Sequence, residues 1–162
     1  MTRMARLARV LVTLTCVLVV SACGFVGGDE EEPDMTPQQA ADQMRDLAEE
    51  VLNAASPDGT SSFGDPVPEI PCGGLNGTDF TKVKASLTGL AGAKVTDGDA
   101  AFGAAREVLE RRGATVKPVR EIGGGKILGF DEDVVAGSLV LHPDGRLVLD
   151  AGTECLDNPE MD

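Results

Sequence analysis

The sequence predicts an α+β fold, a two-layer sandwich in which an antiparallel sheet of about five strands carries two helices packed on one face. Three observations lead there. Apolar residues recur at three- and four-residue steps over 37–55 and again over 99–112, the period of a helix with one buried side. From Phe80, and again through residues 114–152, the period is two, with Gly- and Pro-containing turns between the alternating runs. The folded part is long enough for one small core and too short to hold two comfortably.

Ahead of that domain, Arg3, Arg6 and Arg9 precede the apolar run Val10 to Val20, and Ser21-Ala22 follow as small residues. This is the layout of an export signal. The run is about half of the ~20 apolar residues that a membrane-spanning helix needs, so residues 1–22 read as a signal peptide that is cut away. No paired arginines precede it, so folding before export is not indicated. Gly24, Gly27, Gly28 and the run Asp29 to Asp34 then form an acidic tether over 23–35, a composition unable to pack a core.

Leu18-Val19-Val20-Ser21-Ala22-Cys23 resembles the cleavage site of bacterial lipoproteins. The resemblance implies that Cys23 is the lipidation site, carrying a diacylglyceryl thioether and an N-acyl chain of the palmitate kind. The protein would then be held on the extracytoplasmic side of the cell membrane. Two or three chains at ~0.8 kcal/mol per buried methylene make a durable anchor. The alternative is an ordinary secretory peptide cut after Ala22, which would leave Cys23 as an exposed thiol.

The whole chain has 14 basic and 27 acidic residues, and loss of the three signal arginines leaves 11 against 27, a net of −16. That balance argues against nucleic acid or anionic headgroups as partners, since both demand basic patches. The acidic tether reads as a solvated linker, with calcium binding the weaker alternative. Of four cysteines, Cys16 leaves with the signal and Cys23 is taken by lipid. Cys72 and Cys155 remain in an oxidising compartment and are expected to form a disulfide, with a two-thiol metal site as the alternative.

Thr36 is placed to cap the first helix, with Pro37 at its first position and Gln39 completing a capping box. Ala40, Met44, Leu47, Ala48, Val51, Leu52 and Ala55 make its buried stripe. Thr60 to Pro71 reads as a loop, and Thr81, Val83, Ala85 and Leu87 alternate with Lys82, Lys84 and Ser86 as one half-buried strand. After a loop marked by Gly89, Gly92 and Gly98, Thr96 and Asp99 are candidate caps of a second helix that buries Ala101, Ala105, Val108 and Leu109 and stops at Gly113. Strands are expected near 114–122, 126–131, 134–142 and 146–152. Gly123 to Gly125 and Pro143-Asp144-Gly145 are the turns. A three-residue second turn sets Leu141 against Leu147 and Leu139 against Leu149 on one surface, and Val140 against Val148 and His142 against Arg146 on the other. Pro118 pushes the first of these strands towards an edge. The domain is therefore assigned to 36–157, with 158–162 as a tail.

Cys72, the helix end Arg112-Gly113-Ala114-Thr115 and the strand end Gly152-Thr153-Glu154-Cys155-Leu156 are similar to small actinobacterial envelope lipoproteins of the mycobacterial LppA type. The resemblance implies the same sandwich with the two cysteines bridged. It brings no chemistry to transfer.

Catalytic and metal sites are not indicated, and no cofactor is expected. His142 reads as a turn histidine. Ser138 and Asp150 face each other across the last hairpin, yet lack a nucleophile elbow. Gly123-Gly124-Gly125-Lys126 lacks the spacing, hydroxyl residue and helix of a phosphate loop. Asp97-Gly98-Asp99 and Asp131-Glu132-Asp133 do not continue as EF-hand ligand series. The expectation is a non-catalytic envelope protein that contacts another exported protein through Lys82, Lys84, His142, Arg146 and Val148, or through the prolines before Cys72. A binder of a small apolar or lipid ligand between sheet and helices is the second reading, and a hydrolase the third.

Overall fold

The helix at Pro37–Ala55 (α1) starts where its sequence demands: Gln39 N–H donates to the Thr36 hydroxyl at 3.3 Å while the Gln39 side chain accepts from Thr36 N–H at 2.9 Å. Its expected stripe is buried throughout. The computed structural model describes residues 35–64 and 70–161. The signal peptide, Cys23, the tether up to residue 34 and the prolines at 66 and 68 lie outside the described residues. Met35, the first described residue, already packs against the core.

The second helix, Gly98–Arg111 (α2), is capped by Asp97, whose carboxylate accepts from Ala100 N–H at 3.0 Å. Neither Thr96 nor Asp99 takes that place, because a cap must precede the first helical residue and accept from two or three residues on. Gly113 follows the helix at φ 91°, the left-handed stop that glycine allows without strain.

The strands are β1 (Ser62–Phe63), β2 (Ile70–Gly73), β3 (Asp79–Lys84), β4 (Ser86–Leu90), β5 (Thr115–Val116), β6 (Arg120–Ile122), β7 (Gly125–Glu132), β8 (Val135–Leu141), β9 (Leu147–Thr153) and β10 (Leu156–Asp157). The main sheet has seven strands rather than five, in the order β1-β4-β9-β8-β7-β5, with β6 also paired to β7. A separate three-stranded sheet runs β10-β3-β2. All pairs are antiparallel. The expected count falls short because several added strands are only two to four residues long, too short to show alternation. The stretch 114–122 is divided around Pro118, which has no donor for the ladder. The region expected as a loop from 60 to 71 contains β1 and the start of β2. Gly89 belongs to β4, not to a loop: a Cβ there would meet Leu52 Cδ1 at 2.8 Å, so glycine lets α1 approach the sheet.

The register of the last hairpin is as expected, with Leu141 opposite Leu147, Leu139 opposite Leu149, and Val140 opposite Val148. Leu128, Leu139 and Leu149 lie side by side and fully buried on the helix face. Both helices contact this sheet, α1 on β4 and β9 and α2 on β5 and β7, and they contact each other. The architecture is therefore α+β with two layers, plus the small second sheet.

Two strand pairs change sheets at one corner. The run expected as a single strand breaks at Ala85, so β3 pairs in the small sheet and β4 in the large one. Beside it β9 ends at Thr153 and β10 begins at Leu156, opposite Val83. Thr153 N–H donates to Ala85 C=O at 2.9 Å, and Ala85 N–H donates to the buried Thr153 hydroxyl at 2.8 Å. Cys155 is bonded to Cys72 of β2, with the two Cα atoms 6.2 Å apart. The expected tail also returns to β3, where Asn158 N–H donates to Thr81 C=O at 2.9 Å.

The variant Thr153→Val keeps shape and strands the Ala85 N–H. It is expected to lower the urea-unfolding free energy by about 1–3 kcal/mol with an unchanged denaturant slope.

Candidate functional site

The face of the main sheet away from the helices carries an aligned row of aliphatic side chains. Leu90 is opposite Val148, Val148 opposite Val140, and Val140 opposite Ile127, across β4, β9, β8 and β7. Arg120 of β6 is paired with Ile127 and continues the row. One step nearer the β8–β9 turn lie Ile122, opposite Gly125, and the pair His142 and Arg146, whose backbones are joined by a 2.8 Å hydrogen bond. Leu90 is 44% and Ile122 57% exposed, whereas Val148, Val140 and Ile127 are half-buried by their neighbours. The next row along the strands is polar or small: Thr88, Asp150, Ser138 and Gly129.

These positions divide the residues expected to form one contact face. His142, Arg146 and Val148 sit at the turn end of β9. Lys82 and Lys84 lie on β3 in the small sheet, beyond the corner at the other end of the seven-residue β9. About 23 Å of extended chain separates the two groups, which stand on different sheets at opposite ends of β9. Lys82 is also engaged by Asp157 at 3.2 Å. The unbroken alternation around Lys82 and Lys84 implies a continuation of the main sheet, which the break at Ala85 prevents.

The hairpin does bring Ser138 opposite Asp150, but His142 is four residues further on, just past the end of β8 and about 13 Å away. The Asp150 carboxylate instead accepts from the Thr88 hydroxyl at 2.7 Å. Ser138, His142 and Asp150 are therefore not assembled as a relay. Cys72 and Cys155 are bonded to each other, which removes the two-thiol metal alternative.

A cleft of about 390 Å³ opens at the turn end, on the helix side, lined by Lys94, Lys126, His142 and Asp144 together with Gly98 and Gly124. Its charges are largely answered from within. Lys126 reaches Asp99 at 2.6 Å, and that hydrogen bond holds its ammonium above the ordinary lysine range. Asp144 takes the Arg146 guanidinium at 2.7 Å, and this contact lowers its carboxyl below the usual range.

The remaining charge cluster is structural. Glu132, 8% exposed at the end of β7, accepts from Arg112 Nε at 3.1 and 3.2 Å, and Arg112 also reaches Glu50 of α1 at 3.3 Å. Arg111 binds the same Glu50 at 2.6 Å. The hydrogen bond to Glu132 raises the Arg112 pKa against partial burial, and the hydrogen bond from Arg111 lowers that of Glu50. The two arginines at the end of α2 thus tie both helices to the sheet. Asp131, next to Glu132, pairs with Lys117 at 2.8 Å.

Together these features define an α+β sandwich clipped by the Cys72–Cys155 disulfide, with no helix among the described residues on its second sheet face. The crystal structure of LppA from Mycobacterium tuberculosis, a protein assigned as a lipoprotein, has a similar fold: TM-score 0.51 at 15% sequence identity, over 78% of this chain and 80% of that one. At this identity the likeness is one of fold. No family model and no curated protein matches the chain. Among the described residues, no helix is long and apolar enough to cross a membrane.

Replacing Arg112 by Met leaves the Glu132 carboxylate buried without its partner. Because Arg112 keeps 24% side-chain exposure, the expected loss falls somewhat below that of a fully buried pair, about 2–3 kcal/mol in denaturant unfolding. The double variant Arg112→Met, Glu132→Leu should recover most of that loss, since an apolar pair needs no desolvated charge.

Proposed function

We propose that the protein is a lipid-anchored, non-catalytic module of the bacterial cell envelope, tethered through Cys23 on the extracytoplasmic side and acting by contact with another exported protein. The observation that carries this reading is Leu18 to Cys23 at the end of a short apolar run behind Arg3, Arg6 and Arg9. A fold shared with LppA, itself assigned as a lipoprotein, supports it. So does the disulfide between Cys72 and Cys155, a bond suited to an oxidising compartment. The actinobacterial kinship and the acyl chains belong to this proposal. An apolar-ligand role has less support, because Met44, Leu52, Leu109, Phe130 and Leu149 fill the space between helices and sheet.

Intact mass spectrometry of the protein purified from the membrane of its host, before and after reduction, tests the anchor. The expected result is a chain beginning at Cys23 with added acyl mass and a gain of about two daltons on reduction, the two hydrogens of one opened disulfide. An unacylated chain, or one retaining residues 1–22, would contradict the proposal.

A further inference from the structure

A protein-interaction role needs a surface, and of the two drawn from the sequence the prolines at 66 and 68 lie outside the described residues, while Lys84 and Arg146 stand on different sheets. We infer that the docking surface is the turn end of the uncovered sheet face, the row Leu90, Val148, Val140 and Ile127 flanked by Arg120 and Arg146, and that its partner is a protein segment presenting aliphatic side chains beside carboxylates. This inference rests on the interaction role proposed above and specifies its chemistry.

The row is continuous across four strands because each member is directly opposite the next. Side chains on neighbouring strands stand within van der Waals reach, so four of them form one apolar strip rather than scattered exposed residues. Below it, Ile122 adds a further exposed aliphatic side chain. The strip's own row and the row nearer the turn carry charge opposite to the molecule's, with Asp150 the carboxylate of the adjoining row and Asp144 held by Arg146. In a chain of net −13, the two rows that contain the strip hold Arg120, His142 and Arg146 and no carboxylate. Arg146 is paired with Asp144 in the turn, while the Arg120 guanidinium has no ion-pair partner among the described residues. An arginine beside exposed aliphatic groups, with no counter-ion among the described residues, is complementary to an acidic, aliphatic surface.

The other occupants fit less well. A second copy would present the same arginines with no carboxylate in those rows to meet them, and like charges across an interface are costly. A bilayer surface is matched by Trp or Tyr at the headgroup level and by an excess of basic residues, and the chain has neither Trp nor Tyr and is strongly acidic.

A photoreactive amino acid placed at Leu90, Val148 or, on the outer face of α2, Glu107 tests this in the full-length protein in its own membrane. The expected result is an adduct to one polypeptide from Leu90 and Val148 and not from Glu107, with the crosslinked peptide containing Asp or Glu. The charge-reversed variant Arg120→Glu, Arg146→Glu should lower adduct yield about tenfold or more, and Lys84→Glu should not. An unchanged thermal midpoint in both variants shows that the fold is kept. Adducts to phospholipid only, adducts to a second copy, equal yield at Glu107, or insensitivity to charge reversal would each overturn the inference. If Cys23 lacks lipid but the crosslinking pattern holds, the anchor fails and the surface stands. If Cys23 is acylated but the pattern is missing, the surface fails and the anchor stands.

Discussion

The structure turns on the corner where Ala85 meets Thr153. Two neighbouring strands leave the main sheet there together, β4 continuing backwards into β3 and β9 forwards into β10. Strands that switch sheets interrupt their ladder, and the donors freed by the bend must find other acceptors. Thr153 supplies one: its hydroxyl takes the Ala85 N–H, and its own N–H returns to the Ala85 carbonyl. Glu154 N–H, next along, donates to Val134 C=O at 2.8 Å and so ties the corner to the β7–β8 turn. The disulfide then fixes β2 to the same point from the far side of β3. Few buried apolar side chains belong to the small sheet, with Val83 and Leu156 foremost, so the corner rather than a core of its own holds it in place.

That arrangement gives the domain two unlike ends. At the corner end the chain is cross-linked, hydrogen-bonded and tied by Arg112 and Glu132 to both helices. At the turn end β8 and β9 close through Pro143-Asp144-Gly145, and the sheet face opposite the helices carries the aliphatic strip and its arginines. The helices need only one face of the sheet, and they take the one lined by Leu128, Leu139 and Leu149. A strip left on the other face is a consequence of a two-layer design, and the register then aligns four aliphatic residues in rows without acids.

The parts of this fold that local chemistry decides are legible in the sequence. Thr36, Pro37 and Gln39 specify the start of α1 without help from the rest of the chain, and the turn at Pro143 sets the register that pairs Val140 with Val148. What non-local pairing decides is not legible. Val83, Ala85 and Leu87 alternate without interruption and are all buried, so nothing in the pattern marks the change of sheet between them. The acceptor that stabilises that change is Thr153, 68 residues away. The candidate contact surface is half legible for the same reason: Val148, His142 and Arg146 come from one hairpin, whereas Leu90, Ile127 and Arg120 join them only through pairings of β4, β7 and β6. Lys82 and Lys84 are misplaced by the pattern because an unbroken period implies an unbroken strand.

The corner can be examined directly by amide hydrogen exchange on the oxidised and the reduced protein. If Ala85, Thr153 and the disulfide couple the two sheets as described, the amides of β3, β4 and β9 exchange at closely similar rates while the bond is intact. Reduction should then release β2, β3 and β10 first and leave β7, β8 and β9 protected. A small sheet that exchanges independently of β4 and β9 in the oxidised protein, or a main sheet that loses protection together with β2 on reduction, would contradict the account.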